Sequence, residues 1–435
     1  MVRVFASAMA ALALVVSFPS AAQNVSPNTT LGPPGAERSA ASPLTLRQAV
    51  VAALGANPDL KVFSYSLKAQ QARDELAALR PAPTLGFEVE NALGSGEYKK
   101  FDSAEMTFSL SQVIELGDKR ERRIDVARFG MENIDVERQA AQLDVLAVVA
   151  RRFIHVASSQ QQLELTRHNV DLSRKTVAAV KRRVDAAKSP QAELHRANVA
   201  LRRAEIELRH AEHELLASRR KLAAMWGEPE ANFGLVEADL YRMPTPIEFD
   251  ALIARLQANP DFTRFASEAR LRDAEIRLAQ TQRTPDLELM GGVRRHQESG
   301  DNAFVFGISV PLFAGRQAAP AIAEAQALRG EVDARREAAF VKARAQLFDL
   351  YQELRHAINE TEILKNELLP LVEAALRETQ YAYERGRYSY LELVDGQRAY
   401  LEAKRSLIEA AANAQIFQAE IERLTGEPLQ TEGLK

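Results

Sequence analysis

Along most of the chain apolar residues recur every three or four positions, but in two places this rhythm gives way to strict alternation. Leu85, Phe87 and Val89 alternate with Gly86, Glu88 and Glu90. After Gly94-Ser95-Gly96 the chain returns with Ala104, Met106, Phe108 and Leu110 against Glu105, Thr107, Ser109 and Ser111. The pattern recurs as Leu287 and Leu289 against Asp286 and Glu288, a turn at Glu298-Ser299-Gly300-Asp301-Asn302, then Phe304, Phe306, Ile308 and Val310 against Val305, Gly307 and Ser309. Alternation over about 9 to 11 residues is the length and pattern of a transmembrane β-strand, apolar toward lipid and polar toward a lumen. Two soluble hairpins, each with one face on a core, would read the same way.

Elsewhere the helical period rules. No proline interrupts the chain between Pro83 and Pro190, so the stretch from about Asp118 to Ala187 is expected as one helix. At about 1.5 Å per residue its length approaches 105 Å. A counterpart is expected from about Pro320 to Arg385, kinked near Asn366 to Pro370 by its internal proline. Tight breaks at Lys188-Ser189-Pro190 and Arg385-Gly386-Arg387 turn the chain back into helices ending at Trp226 and Leu424, where Gly227 and Gly426 suit C-terminal caps. Shorter helices, Asn57 to Arg80 and Asn259 to about Arg283, precede the hairpins, and Thr45 and Gln48 have capping-box spacing ahead of the first. Leu163, Val170, Val177 and Val184 fall seven apart, with a second stripe at Leu165 and Leu172. Two offset seams give a helix a neighbour on each side, as in a ring of helices or the core of a bundle.

The chain contains its own copy. Ala56-Asn57-Pro58-Asp59-Leu60 returns as Ala258-Asn259-Pro260-Asp261-Phe262, and Trp226-Gly227-Glu228-Pro229 as Thr425-Gly426-Glu427-Pro428, at a shift of roughly 200 residues. In both copies Asn can cap free backbone N–H groups while Pro fits the first helical position. The predicted organisation is a signal peptide over 1–22, a flexible tether over 23–43, a first repeat over 44–229 with its hairpin at about 84–114, and a linker over 230–246. A second repeat follows over 247–428, with its hairpin at about 286–312, and then a tail over 429–435.

Four strands cannot cross a membrane alone, because an open sheet leaves its edge N–H and C=O groups unpaired in hydrocarbon. Two copies would give eight strands filled by side chains; three give twelve and room for a lumen, so a trimer is the simplest closed solution. Composition agrees with export and long helices. Residues 1–22 carry Arg3, an apolar run from Val4 to Phe18 too short to span a bilayer, and a small-residue ending at Ser20 and Ala22. Among 435 residues there are 20 Gly, 18 Pro, one Trp and no Cys, which excludes disulfide scaffolds, thiolate metal sites and an acylated N-terminal Cys. A net charge of -3 supplies no general attraction to nucleic acid.

The duplicated Ala-Asn-Pro-Asp segment, the run Leu110 to Arg120, the strand end Ser309-Val310-Pro311-Leu312-Phe313 and the run Tyr383 to Leu393 together resemble the TolC family of outer-membrane efflux channels, over essentially the whole mature chain. Gln112 to Arg120 is most similar to the CzcC-like heavy-metal efflux branch, with Asp118 where that branch often has Gly. The resemblance implies a mainly α fold with a pair of β-hairpins: a homotrimer whose twelve-stranded barrel in outer-membrane lipid continues as a twelve-helix coiled-coil barrel across the periplasm. It further implies a passive duct that needs no cofactor. The duct meets a periplasmic adaptor and an inner-membrane pump of the resistance-nodulation-division type, and carries heavy-metal cations or, alternatively, organic drugs or a type I secreted protein. Its gate falls on Glu392 and Asp395, three apart on one helix face, with Glu193 as the repeat equivalent. Threefold symmetry would gather the first two into a ring of carboxylates that draws cations and repels anions; apart from the resemblance they read as solvated surface acids. The turns at Ser189, Pro190, Gly386 and Arg387 become the adaptor contacts, although as turns they need no function.

Two competing readings are weaker. Glu207 to His210 and Glu353 to His356 each match the Glu-x-x-His spacing of di-iron bundles. Their distances from the helix tips place them roughly 20 Å apart in height, too far to share a metal. His210 and His213 form a surface pair beside Glu207 and Glu214, the pattern of a solvated charge network. A periplasmic coiled-coil adaptor would carry one helical hairpin set in β-rich domains, whereas this chain carries two in tandem. No phosphate loop or hydrolytic triad is present, so no enzyme is expected.

Overall fold

The computed structural model describes residues 43–245 and 247–427. The expected signal peptide, nearly all of the tether and the tail lie outside these residues. The first half opens with a two-residue strand β1 (Leu44–Thr45), then α1 (Leu46–Ala56), α2 (Pro58–Ala78), β2 (Thr84–Glu90), β3 (Glu105–Ile114), α3 (Lys119–Asp185) and α4 (Gln191–Ala223). After a short linker strand β4 (Val236–Glu237) the same order returns as α5 (Phe249–Ala258), α6 (Pro260–Thr281), β5 (Leu287–His296), β6 (Asn302–Ser309), α7 (Ala314–Ile363), α8 (Leu369–Glu384) and α9 (Tyr390–Thr425). Strand β1 pairs in parallel with β4, tying the first helix to the linker.

The two hairpins join into one antiparallel sheet of order β2-β3-β5-β6. Its register sorts the alternation onto two faces. Leu85 and Phe87 stand opposite Leu110 and Phe108, and Phe108 stands opposite Val293, itself opposite Phe304. Leu85 is 79 % and Phe306 82 % exposed, so this apolar face meets no other part of the chain. The opposite face carries Glu88, Glu90, Glu105, Thr107, Arg294 and His296. Strands β2 and β6 are left with open outer edges.

Below the sheet, the turn Glu115-Leu116-Gly117-Asp118 feeds α3. Gly117 takes φ 74°, and a Cβ there would meet Thr284 at 3.0 Å. Asp118 follows at φ 59°, a left-handed conformation that Asp enters more readily than most residues. Asp286, at the foot of β5, fastens this turn to the second half: its carboxylate accepts from the Leu116 N–H at 3.1 Å and from Lys119 Nζ at 2.6 Å. Glu115 pairs with Arg123 one turn into the helix. The motif that carried the family resemblance is thus the corner between sheet and helix.

Helix α3 runs 67 residues unbroken. It packs against α2, α4, α6 and α9. The joint between α4 and α2 explains how two helices line one long partner. Asn57 Oδ1 accepts from the Asp59 and Leu60 N–H groups, capping α2, while its Nδ2 donates 2.8 Å to the Met225 carbonyl at the end of the α4 segment. Asn259 does the same in the second copy, capping α6 through Asp261 and donating to the Arg423 and Leu424 carbonyls of α9 at 2.8 and 3.0 Å. Each Asn is buried, and each joint is completed by a glycine in the left-handed region, Gly227 at φ 79° and Gly426 at φ 70°. Free N–H groups of one helix and free carbonyls of the other are satisfied by one amide. Arg423 braces the second joint, reaching Asp261 at 2.6 Å and Asp144 of α3 at 2.5 Å. Apolar clusters flank both joints, one around Val149, Phe153, Leu222 and Phe233, the other around Leu256, Phe265, Leu347 and Ile421.

One detail differs from the sequence expectation. Helix α7 starts at Ala314, so Pro320 lies inside it instead of opening it. In the second turn the proline forfeits only one bond, to the Arg316 carbonyl, and Ala318, Ile322 and Ala325 pack with Ala279 of α6 to hold the helix. At the second proline, Pro370, the irregularity expected near Asn366 takes the form of a π-helical turn, Leu364–Leu368, that passes directly into α8.

Asn259→Ala removes a cap and unpairs two carbonyls at a buried joint, and is expected to cost about 2–3 kcal/mol. Asn259→Asp keeps the cap but sets an acceptor against the two carbonyls, so it too should lower the apparent melting temperature in detergent. An Asp variant as stable as the wild type would show that the bridge contributes nothing.

Candidate functional site

The far ends of the helices form two tips. At the first, the Lys188 N–H bonds to the Arg183 carbonyl and the Ala187 N–H to Val184; at the second, Arg387 bonds to Ala382 and Gly386 to Tyr383. Both are the double-bonded glycine-type helix ending, with Ala187 at φ 54° and Gly386 at φ 75° in the left-handed position. Pro190 and Ser389 then open α4 and α9 in extended conformation. Lys188, Pro190, Gly386 and Arg387 are exposed, while Ser189 is half-buried.

The two tips are locked together by residues the sequence reading did not single out. Arg183 Nη1 donates 2.6 Å to the Tyr383 carbonyl, its Nε approaches Ser189 Oγ at 3.2 Å, and its guanidinium lies over the Tyr383 ring, 4.7 Å from the centroid. Tyr383 is 1 % exposed in a cluster with Val180, Ala197, Tyr390 and Leu393. Its hydroxyl has no hydrogen-bond partner. Burial pushes the Tyr383 phenol above its ordinary pKa; Arg183 opposes that shift and Glu193 adds to it. Arg183 and Tyr383 lie 200 residues apart, the repeat interval, which was the one signal in the sequence that could have paired them.

Of the expected gate residues, Glu392 and Asp395 both lie exposed near the start of α9. Glu392 also has a local role: its Oε2 accepts from the Ser389 N–H at 2.6 Å while the Glu392 N–H reaches Ser389 Oγ at 3.4 Å, a capping box. The Ser389 backbone bond, then its side-chain bond, holds the Glu392 carboxyl below its ordinary pKa. Its support of the helix start is therefore full above the ordinary carboxylate range and is lost as pH falls through the depressed folded value. Glu193 stands in a different environment, half-buried in the first turn of α4 and close enough to raise the Tyr383 and Tyr390 phenols. Above the tips, α3, α4 and α9 enclose an open groove of about 1000 Å³ lined by Thr166, Ser173, Arg203, Glu207, Arg398 and Arg405. Glu392 and Asp395 lie outside its lining. Among the described residues no three His, Asp or Glu side chains gather as a metal site, and no helix is long and apolar enough to cross a membrane.

A sheet apolar on one face and charged on the other, carried on helices about 100 Å long, defines a membrane channel that extends well past its bilayer segment. Residues 49–228 and 253–427 match the Outer membrane efflux protein family, and the chain belongs to it. Its members conduct substrates out through the outer membrane and are not enzymes. The cobalt-zinc-cadmium resistance protein CzcC of Cupriavidus metallidurans is 27 % identical over 421 residues, 95 % of this chain and 98 % of the relative. The fold is shared with the transmembrane channel CusC, at a TM-score of 0.73 and 15 % identity over 92 % of this chain and 96 % of CusC. It is also shared with the outer membrane protein VceC of Vibrio cholerae, at 0.67 and 20 % identity over 88 % and 97 %.

Tyr383→Phe deletes a hydroxyl that is buried and unpaired, so the apparent melting temperature should hold or rise. Arg183→Ala should loosen the tips and speed tryptic cleavage after Arg385 and Arg387, which Tyr383→Phe should leave unchanged.

Proposed function

We propose that three copies of this chain close their sheets into one twelve-stranded barrel in outer-membrane lipid. Their helices continue as a tunnel through the periplasm, forming the exit duct of a heavy-metal efflux system. The observation that carries this reading is the four-stranded sheet, with its exposed apolar face, charged opposite face and two unpaired edges. In the strand order β2-β3-β5-β6, β6 of one chain runs antiparallel to β2 of the next, so identical copies pair edge to edge and leave none open. Heavy-metal cations are favoured as cargo by the similarity to a cobalt-zinc-cadmium resistance protein over nearly the whole length of both chains.

In this assembly Glu392 and Asp395 from three chains form an acidic constriction at the inner end, with Glu193 beside the Tyr383 latch. The exposed turns, Ser189-Pro190 and Gly386-Arg387, are the surfaces a periplasmic adaptor grips, and an inner-membrane pump of the resistance-nodulation-division type supplies the energy. Nucleic acid has no part in it. The division into a first repeat over 44–229 and a second over 247–428 makes six helical hairpins of the three chains.

Detergent-extracted protein should scatter light as three chains; a monomer would refute the closed barrel. Glu392→Gln with Asp395→Asn should reduce cation over anion selectivity in planar bilayers without abolishing conductance. Deleting the gene should sensitise cells to cobalt, zinc or cadmium; sensitivity to lipophilic drugs alone would move the reading to an organic cargo.

A further inference from the structure

The charged face of the sheet holds a second concentration of charge, at the hairpin-turn end and far from Glu392 and Asp395. Glu90 and Glu105 stand directly opposite each other on β2 and β3, and His296 opposite Glu105 on β5. One step along, Glu88, Thr107 and Arg294 make the neighbouring row. Arg294 reaches diagonally across three strands: Nη2 lies 2.7 Å from Glu90 Oε2, Nη1 2.8 Å from Glu105 Oε2, and Nε donates to Thr107 Oγ1 at 2.9 Å. Glu105 also meets His296 Nδ1 at 3.5 Å and accepts from Asn91 Nδ2 at 3.3 Å.

Like charges facing each other across a ladder destabilise a sheet. Thr or Ser at either position would satisfy the fold at no such cost, and Thr107, Ser109 and Ser111 are the next three residues on that face of β3. Two facing carboxylates on the surface that lines the lumen are a place for a cation to pause. Here the pause is already filled by a cation tethered to the wall, and Glu88 remains as an additional acid one row away. Conduction needs such a station to be attractive enough to enter and weak enough to leave.

We propose that Arg294 sets the strength of this station: its guanidinium competes with each passing cation for Glu90 and Glu105, so cargo is drawn to the outer mouth without being trapped there. The proposal rests on the closed-barrel reading, which turns this face toward the lumen. Chemically the cargo it fits is a small hydrated cation, divalent before monovalent, because the competitor bridges two carboxylates.

The test is planar-bilayer recording of the full-length protein. Arg294→Gln should shift the reversal potential in a potassium chloride gradient further toward potassium. The shift should shrink between 0.1 and 1 M salt, as the Debye length falls from about 10 to 3 Å. Zinc ions added on the hairpin-turn side should block Arg294→Gln channels at lower concentration than wild type. Glu90→Gln with Glu105→Gln relieves the facing charges even if the arginine variant folds poorly; its reversal potential should shift away from potassium, and it should show no raised zinc sensitivity. Conducting channels whose selectivity and zinc block ignore both sets of outer substitutions would overturn the role of Arg294 while leaving the duct intact. Failure to form trimeric channels at all in wild-type protein would overturn the closed-barrel reading instead.

Discussion

Backbone hydrogen bonding has to be completed somewhere, and in this chain it stops at the outer edges of β2 and β6. Water could satisfy those edges, but the exposed Leu85, Phe87, Phe108, Phe304 and Phe306 beside them place the sheet in hydrocarbon, where each unpaired group costs several kcal/mol. Only more strands can meet that demand. In the closed trimer proposed above the rest of the architecture follows from this constraint, because the helices that continue each strand would take up the same ring order as the strands. Apolar residues left exposed on the helices, among them Val199, Ile206, Val341 and Phe348, are what an assembly of chains would cover.

The helical half solves a different problem, how to keep one long helix and two shorter ones in step. Asn57 and Asn259 do this by serving two helices at once, capping the one they begin and binding the end of the one before. The joints leave room on their flanks for the two apolar clusters that fix their height along α3 and α7.

What the sequence revealed was local. Strict alternation marked the strands because a pleated sheet repeats every two residues; Asn-Pro and the later glycines marked helix ends because their backbone preferences act at single positions. Contacts between distant segments were not legible. The second hydrogen bond of Asn57 depends on Met225, the latch on Arg183 finding Tyr383, and the ion pairs of Arg294 on the register between hairpins that lie far apart in the chain. Glu392 was singled out through the family resemblance, and its bond to Ser389 went unread although Ser-x-x-Glu spacing announces it. The sequence grouped Glu193 with Glu392 and Asp395 through the repeat alone, and its surroundings beside Tyr383 and Tyr390 turn out to be those of a half-buried neighbour of the latch. Pro320 was over-read as a helix start, since packing against α6 holds a proline inside the helix, whereas the irregularity expected near Pro370 is present as a wider helical turn.

The π-helical turn at Leu364–Leu368 carries a consequence for symmetry. It slips extra backbone into the long helix of the second half, which α3 in the first half does not have. Residues beyond the wide turn are rotated about the helix axis relative to those before it, so the face presented near the second tip is out of phase with its counterpart near the first. In the trimer proposed above the hairpins would therefore be of two kinds set in alternation, and a partner meeting their tips would face threefold and not sixfold symmetry.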